Sequence, residues 1–289
     1  MSDQLLEQIP EFKKKDTSEQ EGIANWSALT NVPTARNMGE VGVIVAVALL
    51  VVGGAEALLR LFQVPSYIFP LPSQIAASLI NMFTSEDSWE IMGKHVWVTL
   101  QELLIGYAIG AVIGMVLAGI VTQMPFVEKI VTPYIILLVT TPMLALVPLL
   151  ILKLGFGMTP RIVAVALAVG PMVMINSSTG FRRTDLPKIA LARSYGASTL
   201  QIFTKIRFPL ALPMIIVGLM VGGIFGLLTA VGAEMVGGNG TGLGSRLNYF
   251  SQLARMEPFF ATIIIIAAIG ISMYILFFWI GKRWASWEA

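Results

Sequence analysis

The chain has 289 residues, of which 56% are hydrophobic and only 12% are charged, and its mean hydropathy is +0.79. A typical soluble domain has about 25% charged residues, so this composition predicts an integral membrane protein. The formal net charge of +2 is too small to predict a nucleic-acid-binding protein. The sequence contains no cysteine, which excludes disulfides, cysteine metal sites and thiol nucleophiles.

The first forty residues are polar and of mixed charge, and no apolar core followed by a small-residue cleavage site occurs among them. We therefore expect a solvated N-terminal tail at residues 1–40 and no cleaved signal peptide. A short helix at the membrane surface stays open as an alternative, because a run of lysines follows four apolar residues. These are Leu5, Leu6, Ile9 and Phe12.

Long runs with few or no charged residues predict six membrane-spanning helices. A bilayer core about 30 Å thick needs roughly 20 apolar helical residues to cross it. The first run, residues 41–59, contains one charge, Glu56, near its end. Five further runs contain no Asp, Glu, Lys or Arg; they are residues 103–127, 130–152, 162–181, 208–233 and 259–281. The runs do not alternate polar and apolar residues, so they predict an all-α bundle rather than a barrel.

The lysines and arginines in the connections predict the orientation. With the N-terminus in the cytoplasm, thirteen of them lie in cytoplasmic segments and six in outside segments. This bias predicts that both termini and the loop of residues 182–207 are cytoplasmic.

Residues 60–95 form the longest predicted outside loop. Its three prolines, Pro65, Pro70 and Pro72, favour an extended backbone there. The only histidine, His95, lies at the end of this loop without a second ligand nearby, so no metal site is predicted.

Two predicted spans contain helix-breaking or small residues. In the second, Gly106, Gly110 and Gly114 recur every fourth residue and predict close packing on one helix face. The third contains Pro133, Pro142 and Pro148. These prolines either kink the helix or free backbone carbonyls that line a water-filled path, and both alternatives stay open. Pro142 and Pro148 are candidate pathway residues.

The loop after the fourth span is too charged to cross lipid and is patterned as two short helices. Pro187 suits the first turn of the first helix, and Gly196 can end it in the left-handed conformation. Ser198 with Gln201 matches a capping box for the second helix. Its apolar stripe consists of Leu200, Phe203 and Ile206. Two short helices at an angle form a projection that suits a groove in a partner.

Glu234 lies at the outer end of the fifth span, after 26 uncharged residues. Ionisable groups at membrane depth are costly, so Glu234 is a candidate pathway or gate residue. The alternative is that it is solvated at the interface or paired with Arg246. The run of residues 237–244 lacks the spacing of a dinucleotide fingerprint, and we expect a flexible turn there. No phosphate-cradling Gly-x-x-x-x-Gly-Lys-Ser/Thr motif occurs, so this chain is not expected to carry an ATP site or to be an enzyme.

The cytoplasmic loop resembles that of type I ABC importer permeases. Their pattern is Glu-Ala-Ala, three residues, Gly, nine residues, Ile, one residue, Leu-Pro. In this chain it falls on Ala190, Leu191, Ala192, Gly196, Ile206, Phe208 and Pro209. Replacement of the acidic residue by Ala190 removes any salt bridge from that position but retains the apolar surface. The resemblance implies that this coupling loop (residues 182–209) docks into an ATPase subunit. The implied contact residues are Ala190, Leu191, Ala192, Gly196, Ser198, Phe203, Ile206 and Pro209.

The resemblance covers residues 65–287 and is closest to the branch that includes nitrate, sulfonate, taurine and bicarbonate permeases. Further matches, in chain order, are Thr99, Leu100, Gly106, Gly110, Gly114, Pro142, Ala145, Pro148, Leu149, Leu150, Gly155, Phe156, Gly157, Pro171, Gly218, Leu219, Glu234, Gly242, Leu243, Gly244, Lys282 and Arg283. It implies a permease core at residues 96–281, preceded by a first helix and outside loop (41–95) and followed by a cytoplasmic C-terminus (282–289).

The resemblance also implies the partners and the mechanism. Two copies of the chain would form the pathway in a bacterial inner membrane. A separate cytoplasmic ATPase would bind ATP and magnesium, this chain itself needing no cofactor, and a periplasmic or lipid-anchored substrate-binding protein would deliver the solute. Transport would proceed by alternating access.

The sequence leaves alternatives for the transport class and the substrate. An ion-coupled secondary transporter would carry intramembrane carboxylates and broken helices. The family branch, with Arg246 and Arg255 before the last span, predicts a small anionic substrate. A neutral pyrimidine or vitamin precursor is the alternative.

Overall fold

The computed structural model describes residues 38–184, 186–237 and 240–284, which are helical apart from short connections. In chain order the helices are α1 (Met38–Leu61), α2 (Pro72–Thr84), α3 (Lys94–Gln123), α4 (Pro125–Thr140), α5 (Met143–Leu154), α6 (Met158–Arg182), α7 (Leu186–Ser194), α8 (Thr199–Ile202), α9 (Phe208–Val236), α10 (Leu243–Gln252) and α11 (Met256–Trp284). The predicted all-α fold is thus confirmed for the described residues. Most of the predicted tail and of the C-terminal segment lies outside them.

Helices α1, α3, α6, α9 and α11 are each long and apolar enough to cross a membrane. A sixth span results when α4 and α5 are taken together. The three helices α3, α6 and α9 form the centre of the bundle, and the coupling loop joins α6 to α9. We refer to the end of the bundle that carries this loop as the loop side, and to the end that carries α10 as the far side.

The third span is not the continuous helix that its apolar run predicts. Helices α4 and α5 meet at Thr141 and Pro142 with a bend of 100°. Pro142 has no N–H to continue the helical ladder, and the residue before a proline is driven into extended backbone. Thr141 accordingly has φ −81° and ψ 124°, and its hydroxyl donates to the Leu137 carbonyl at 2.7 Å. Pro142 therefore breaks the span instead of kinking it, whereas Pro133 and Pro148 lie inside α4 and α5.

The predicted close packing of α3 is confirmed. A β-carbon at Gly106 would lie 2.7 Å from the carbonyl oxygen of Ile162, and one at Gly110 would lie 2.6 Å from that of Ala166. No side chain fits such a gap, so the glycines let the α3 and α6 backbones touch. Leu103 and Val169 fill the neighbouring space and are fully buried.

Residues 60–95 contain more regular structure than predicted, because α2 and a π-helical turn (Trp89–Gly93) occupy much of this segment. Pro72 starts α2, where its fixed φ suits a helix and its missing N–H has no cost. Glu56 of α1 accepts hydrogen bonds from the Ser73 amide at 3.1 Å and the Ser73 hydroxyl at 2.9 Å. The single charge of the first predicted span thus caps α2 and ties α1 to it.

The coupling loop has the predicted turn, but its second helix is not separate. Gly196 has φ +78°, and Ser198 and Gln201 form the capping box, with the Ser198 amide donating to Gln201 Oε1 at 2.8 Å. Helix α8 then continues through a π-helical turn (Phe203–Arg207) directly into α9. Pro209 in the first turn of α9 has no N–H to donate. The amide of the preceding residue, Phe208, donates to the Phe203 carbonyl five positions earlier, as in a π-helix.

Candidate coupling loop and solute pathway

The coupling loop exposes large apolar side chains. Leu191 is 60% exposed, Tyr195 is 84% exposed and Leu200 is 71% exposed. Ile189 and Ile202 point inward and are buried, so each short helix has an anchored face and a free one. Large apolar side chains grouped on a protein surface are typical of interaction sites.

Aromatic contacts fix this loop to the bundle. The ring of Phe203 lies 5.0 Å from the ring of Phe181 on α6, centroid to centroid, and Phe208 lies 6.3 Å from the same ring. Phe203 also faces Gly119 of α3. The predicted stripe is therefore divided: Leu200 points outward, whereas Phe203 points into the bundle.

The residues predicted to contact the ATPase divide in the same way. Ala190, Leu191, Gly196 and Ser198 are exposed. Ala192, Phe203, Ile206 and Pro209 are partly buried. The first group can touch a partner directly, whereas in the second group Phe203 packs on α6 and Pro209 lies in the first turn of α9. Direct contact with a partner remains a prediction for each of them.

A cavity of about 300 Å³ opens at the break between α4 and α5. Its lining includes Thr140, Thr141, Pro142, Met172, Phe225 and Thr229. The end of α4 leaves its last carbonyls without intrahelical donors, as at any helix end. Among the described residues the lining has no charged side chain, so the cavity offers hydroxyls, carbonyls and apolar surface.

The other two candidate pathway residues do not line this cavity. Pro148 is exposed on α5, more than a turn beyond the break. Glu234 lies on the same helix as Thr229 of the cavity lining, but further toward the far side. Their roles in the pathway stay predictions.

The far side contains a buried ion pair that sequence reasoning missed. Arg161 of α6 donates to Glu102 of α3 at 2.9 Å, and each side chain is only 1% exposed. The same guanidinium nitrogen donates to the Thr241 carbonyl at 3.1 Å. Each residue stands just outside an uncharged run, and their positions next to the runs were the one signal in the sequence. No pattern in the sequence indicates that Glu102 and Arg161 form a pair.

Glu234 is buried near this pair and is neither solvated nor bonded to Arg246. Its two carboxyl oxygens lie 2.6 Å from the Thr99 hydroxyl and 2.7 Å from the Gly244 amide. The guanidinium of Arg246 instead lies over the rings of Tyr249 and Phe250. The alternative of a solvated or Arg246-paired Glu234 is therefore wrong.

The described part of the turn that follows α9 packs around Glu234. Gly242 has φ +97°, and its amide donates to His95 Nδ1 at 3.2 Å. A β-carbon on Gly244 would lie 2.9 Å from the Glu234 β-carbon. His95 is buried in this contact, and no cluster of three His, Asp or Glu side chains fit to hold a metal occurs in the described part of the chain.

Comparison with known proteins places the chain among transport proteins. Residues 110–286 match the family described as "Binding-protein-dependent transport system inner membrane component". A probable ABC transporter permease protein of Haemophilus influenzae is 29% identical over 219 residues, which cover 76% of this chain and 86% of that protein. A riboflavin transport system permease protein of Chloroflexus aurantiacus is 27% identical over 225 residues, covering 78% and 82%. A putative aliphatic sulfonates transport permease protein of Escherichia coli is 31% identical over 202 residues, covering 70% and 73%.

The fold agrees with a solved transporter. A chain of the inward-facing MetNI methionine ABC transporter superposes with a TM-score of 0.62 at 17% identity, covering 69% of this chain and 99% of that chain. The shared fold and the family match, which extends over more than half of the chain, lead to one conclusion. This protein belongs to the family of inner-membrane components of binding-protein-dependent transport systems, and it is a multi-pass permease subunit of an ABC importer.

Proposed function

We propose that the coupling loop docks on a cytoplasmic ATPase and transmits its movement to the cavity at the break between α4 and α5. The observation that carries this proposal is the division of the loop into exposed apolar side chains and residues packed on the bundle. A partner that binds Leu191, Tyr195 and Leu200 would contact a surface that is connected to α6 through Phe203.

The path of transmission is a single continuous element. Helix α8, the π-helical turn and α9 run without interruption as residues Thr199–Val236. The ATPase contact is at one end of this element, and Phe225 and Thr229 of the cavity lining are near the other. A tilt of the loop would therefore move the cavity wall directly, and the bend at Thr141–Pro142 would act as the hinge.

The proposed assembly contains two copies of this chain, with ATP and magnesium held by the ATPase. Both termini and the coupling loop would face the cytoplasm, and the far side would face a substrate-binding protein. A far-side cavity of about 690 Å³ supports this docking surface. The polar residues that line it include Gln74, Asn81, Arg246, Arg255 and Glu257.

For the substrate, we propose a small anion, because Arg246 and Arg255 line the far-side cavity where a solute would enter. The sulfonate permease relative supports this class. A neutral ring compound is the second candidate, because the cavity at the break has no charged lining and the riboflavin permease is a similar relative. Arg246 and Arg255 would then contact the substrate-binding protein rather than the solute.

Competition for uptake distinguishes these substrates. In cells that express the complete importer, excess sulfonate, nitrate or bicarbonate is expected to reduce uptake, whereas riboflavin and neutral pyrimidines leave it unchanged. The reverse pattern would assign the neutral class and reject the anion. Uptake is measured with the labelled solute that the cognate binding protein binds most tightly.

Site-directed cross-linking tests the docking site. Because the chain has no native cysteine, Leu200→Cys places one thiol on the exposed face of α8, where a benzophenone can be attached. We expect a light-dependent covalent adduct with the ATPase subunit. Leu276→Cys on α11 is the matched control, since Leu276 is also well exposed but lies on a membrane span. Equal cross-linking of the two, or none at Leu200 in an assembled complex, would reject the docking site.

A further inference from the structure

The hydroxyl group of Thr99 has three hydrogen-bond partners in the buried far-side site. The Leu243 amide lies 2.9 Å from it, the His95 carbonyl 3.1 Å and a Glu234 carboxyl oxygen 2.6 Å. The amide can only donate and the carbonyl can only accept. A threonine hydroxyl has one hydrogen, so it cannot donate to both the carbonyl and an ionised Glu234.

A neutral Glu234 satisfies every one of these contacts. Its O–H would donate to Thr99, which then accepts from Leu243 and Glu234 and donates to the His95 carbonyl. The second carboxyl oxygen of Glu234 accepts from the Gly244 amide at 2.7 Å. An ionised Glu234 would take the Thr99 hydrogen, so the His95 carbonyl would lose its bond from the hydroxyl and keep only the helical bond from the Thr99 amide.

The charges around the site also favour a neutral Glu234. Glu102 and Arg161 form an ion pair whose charges cancel, and both are almost fully buried. His95 accepts a hydrogen bond at Nδ1 from the Gly242 amide, so its imidazole is neutral and supplies no cation. An ionised Glu234 would therefore add a negative charge without a buried counter-charge, which is strongly unfavourable in such surroundings.

Other charged groups near the site do not supply that counter-charge. On α10, the Arg246 guanidinium lies 5.1 Å from the ring centroid of Tyr249 and 4.8 Å from that of Phe250. Lys94, next to His95, forms a salt bridge with Glu90 at the surface.

We propose that Glu234 is held as a neutral carboxylic acid whose O–H donates to Thr99, and that this bond clamps the turn of residues 242–244 onto α3 and α9. Glu234 is then a positioning residue. The clamped turn leads directly into α10, which carries Arg246 of the far-side cavity. The proposal concerns a protonation state and holds whatever the transported solute is.

Glutamine substitutions separate the two buried carboxyl groups. Glu234→Gln keeps one donor for Thr99 and one acceptor for Gly244, so the thermal unfolding midpoint of the purified subunit is expected to stay unchanged. Glu102→Gln is expected to lower that midpoint by several degrees, because Arg161 loses its ionic partner. Glu234→Ala should also lower it, since both hydrogen bonds are lost. A fall for Glu234→Gln as large as that for Glu102→Gln would overturn the proposal.

Infrared spectroscopy provides a readout that packing alone would not change. The wild-type subunit at neutral pH is expected to show the C=O stretching band of a buried protonated carboxylic acid, shifted in D2O. The band should disappear in Glu234→Gln and persist in Glu102→Gln. Its absence from the wild type, or its loss in Glu102→Gln alone, would show that Glu234 is ionised.

Discussion

Gly196→Val is expected to abolish uptake while the subunit still reaches the membrane at near-normal levels. Gly196 has φ +78°, and that conformation costs a residue with a β-carbon roughly 1 kcal/mol or more, with β-branched residues affected most. Relief of this strain would displace Ser198 and the α8 helix that it caps. The spans lie away from this turn and should insert normally. Co-purification of the ATPase and solute uptake are the two measurements, and both should be lost together.

Gly155→Val is the matched control for this variant. Gly155 has φ +81°, and a β-carbon added there would have no atom within 4 Å, as at Gly196, but Gly155 lies between α5 and α6 on the far side. Backbone strain at this position should leave ATPase association intact. Retention of both association and uptake in Gly196→Val would mean that the loop does not couple the subunits.

Ala190→Glu, which introduces the acidic residue of the family pattern, should be tolerated if its site in the partner is basic or solvated.

Arg161→Leu is expected to have the largest effect on stability. It would leave Glu102 buried at 1% exposure without its cation. Removal of one partner from a buried ion pair costs about 3–5 kcal/mol, which is a large fraction of the stability of a typical domain. The folded yield in detergent and the thermal unfolding midpoint should both fall sharply.

The double variant Glu102→Leu/Arg161→Leu is the control for an effect of charge rather than of shape. Replacement of both members of a buried pair by apolar residues is often neutral or stabilising. We therefore expect the double variant to recover much of the stability that Arg161→Leu loses. If it is as unstable as the single variant, the Arg161 contacts to the Thr241 carbonyl and to neighbouring side chains are the main source of stability, not the ion pair.

The structure contains two features that the sequence analysis associated with ion-coupled secondary transporters. One is the broken span at Thr141–Pro142, and the other is the pair of buried carboxyl groups, Glu102 and Glu234. The uncharged runs did not reveal the buried carboxyl groups, because these groups stand at the ends of the runs. The family match decides the class, and the carboxyl groups are accounted for by an ion pair and a hydrogen-bonded turn.

Much of the fold follows from interactions between residues near each other in the chain. The spans follow from apolar runs long enough to cross a bilayer, because helical hydrogen bonds satisfy the backbone locally. The turn at Gly196 and the capping box of Ser198 and Gln201 are local as well, since their bonds join residues three to five positions apart. For these elements the residue types alone were sufficient, and the structure agrees with them.

Tertiary structure alone decided the buried site and the shape of the third span. Thr99 and Glu234 are 135 positions apart, and Glu102 and Arg161 are 59 apart, so no local pattern joins them. Their contact depends on how α3, α6 and α9 pack. Pro142 predicts a kink or freed carbonyls, but the 100° bend reflects where α5 packs against α6 and α9. A proline removes a hydrogen bond locally, whereas the direction in which the chain continues depends on the surfaces available to bury it.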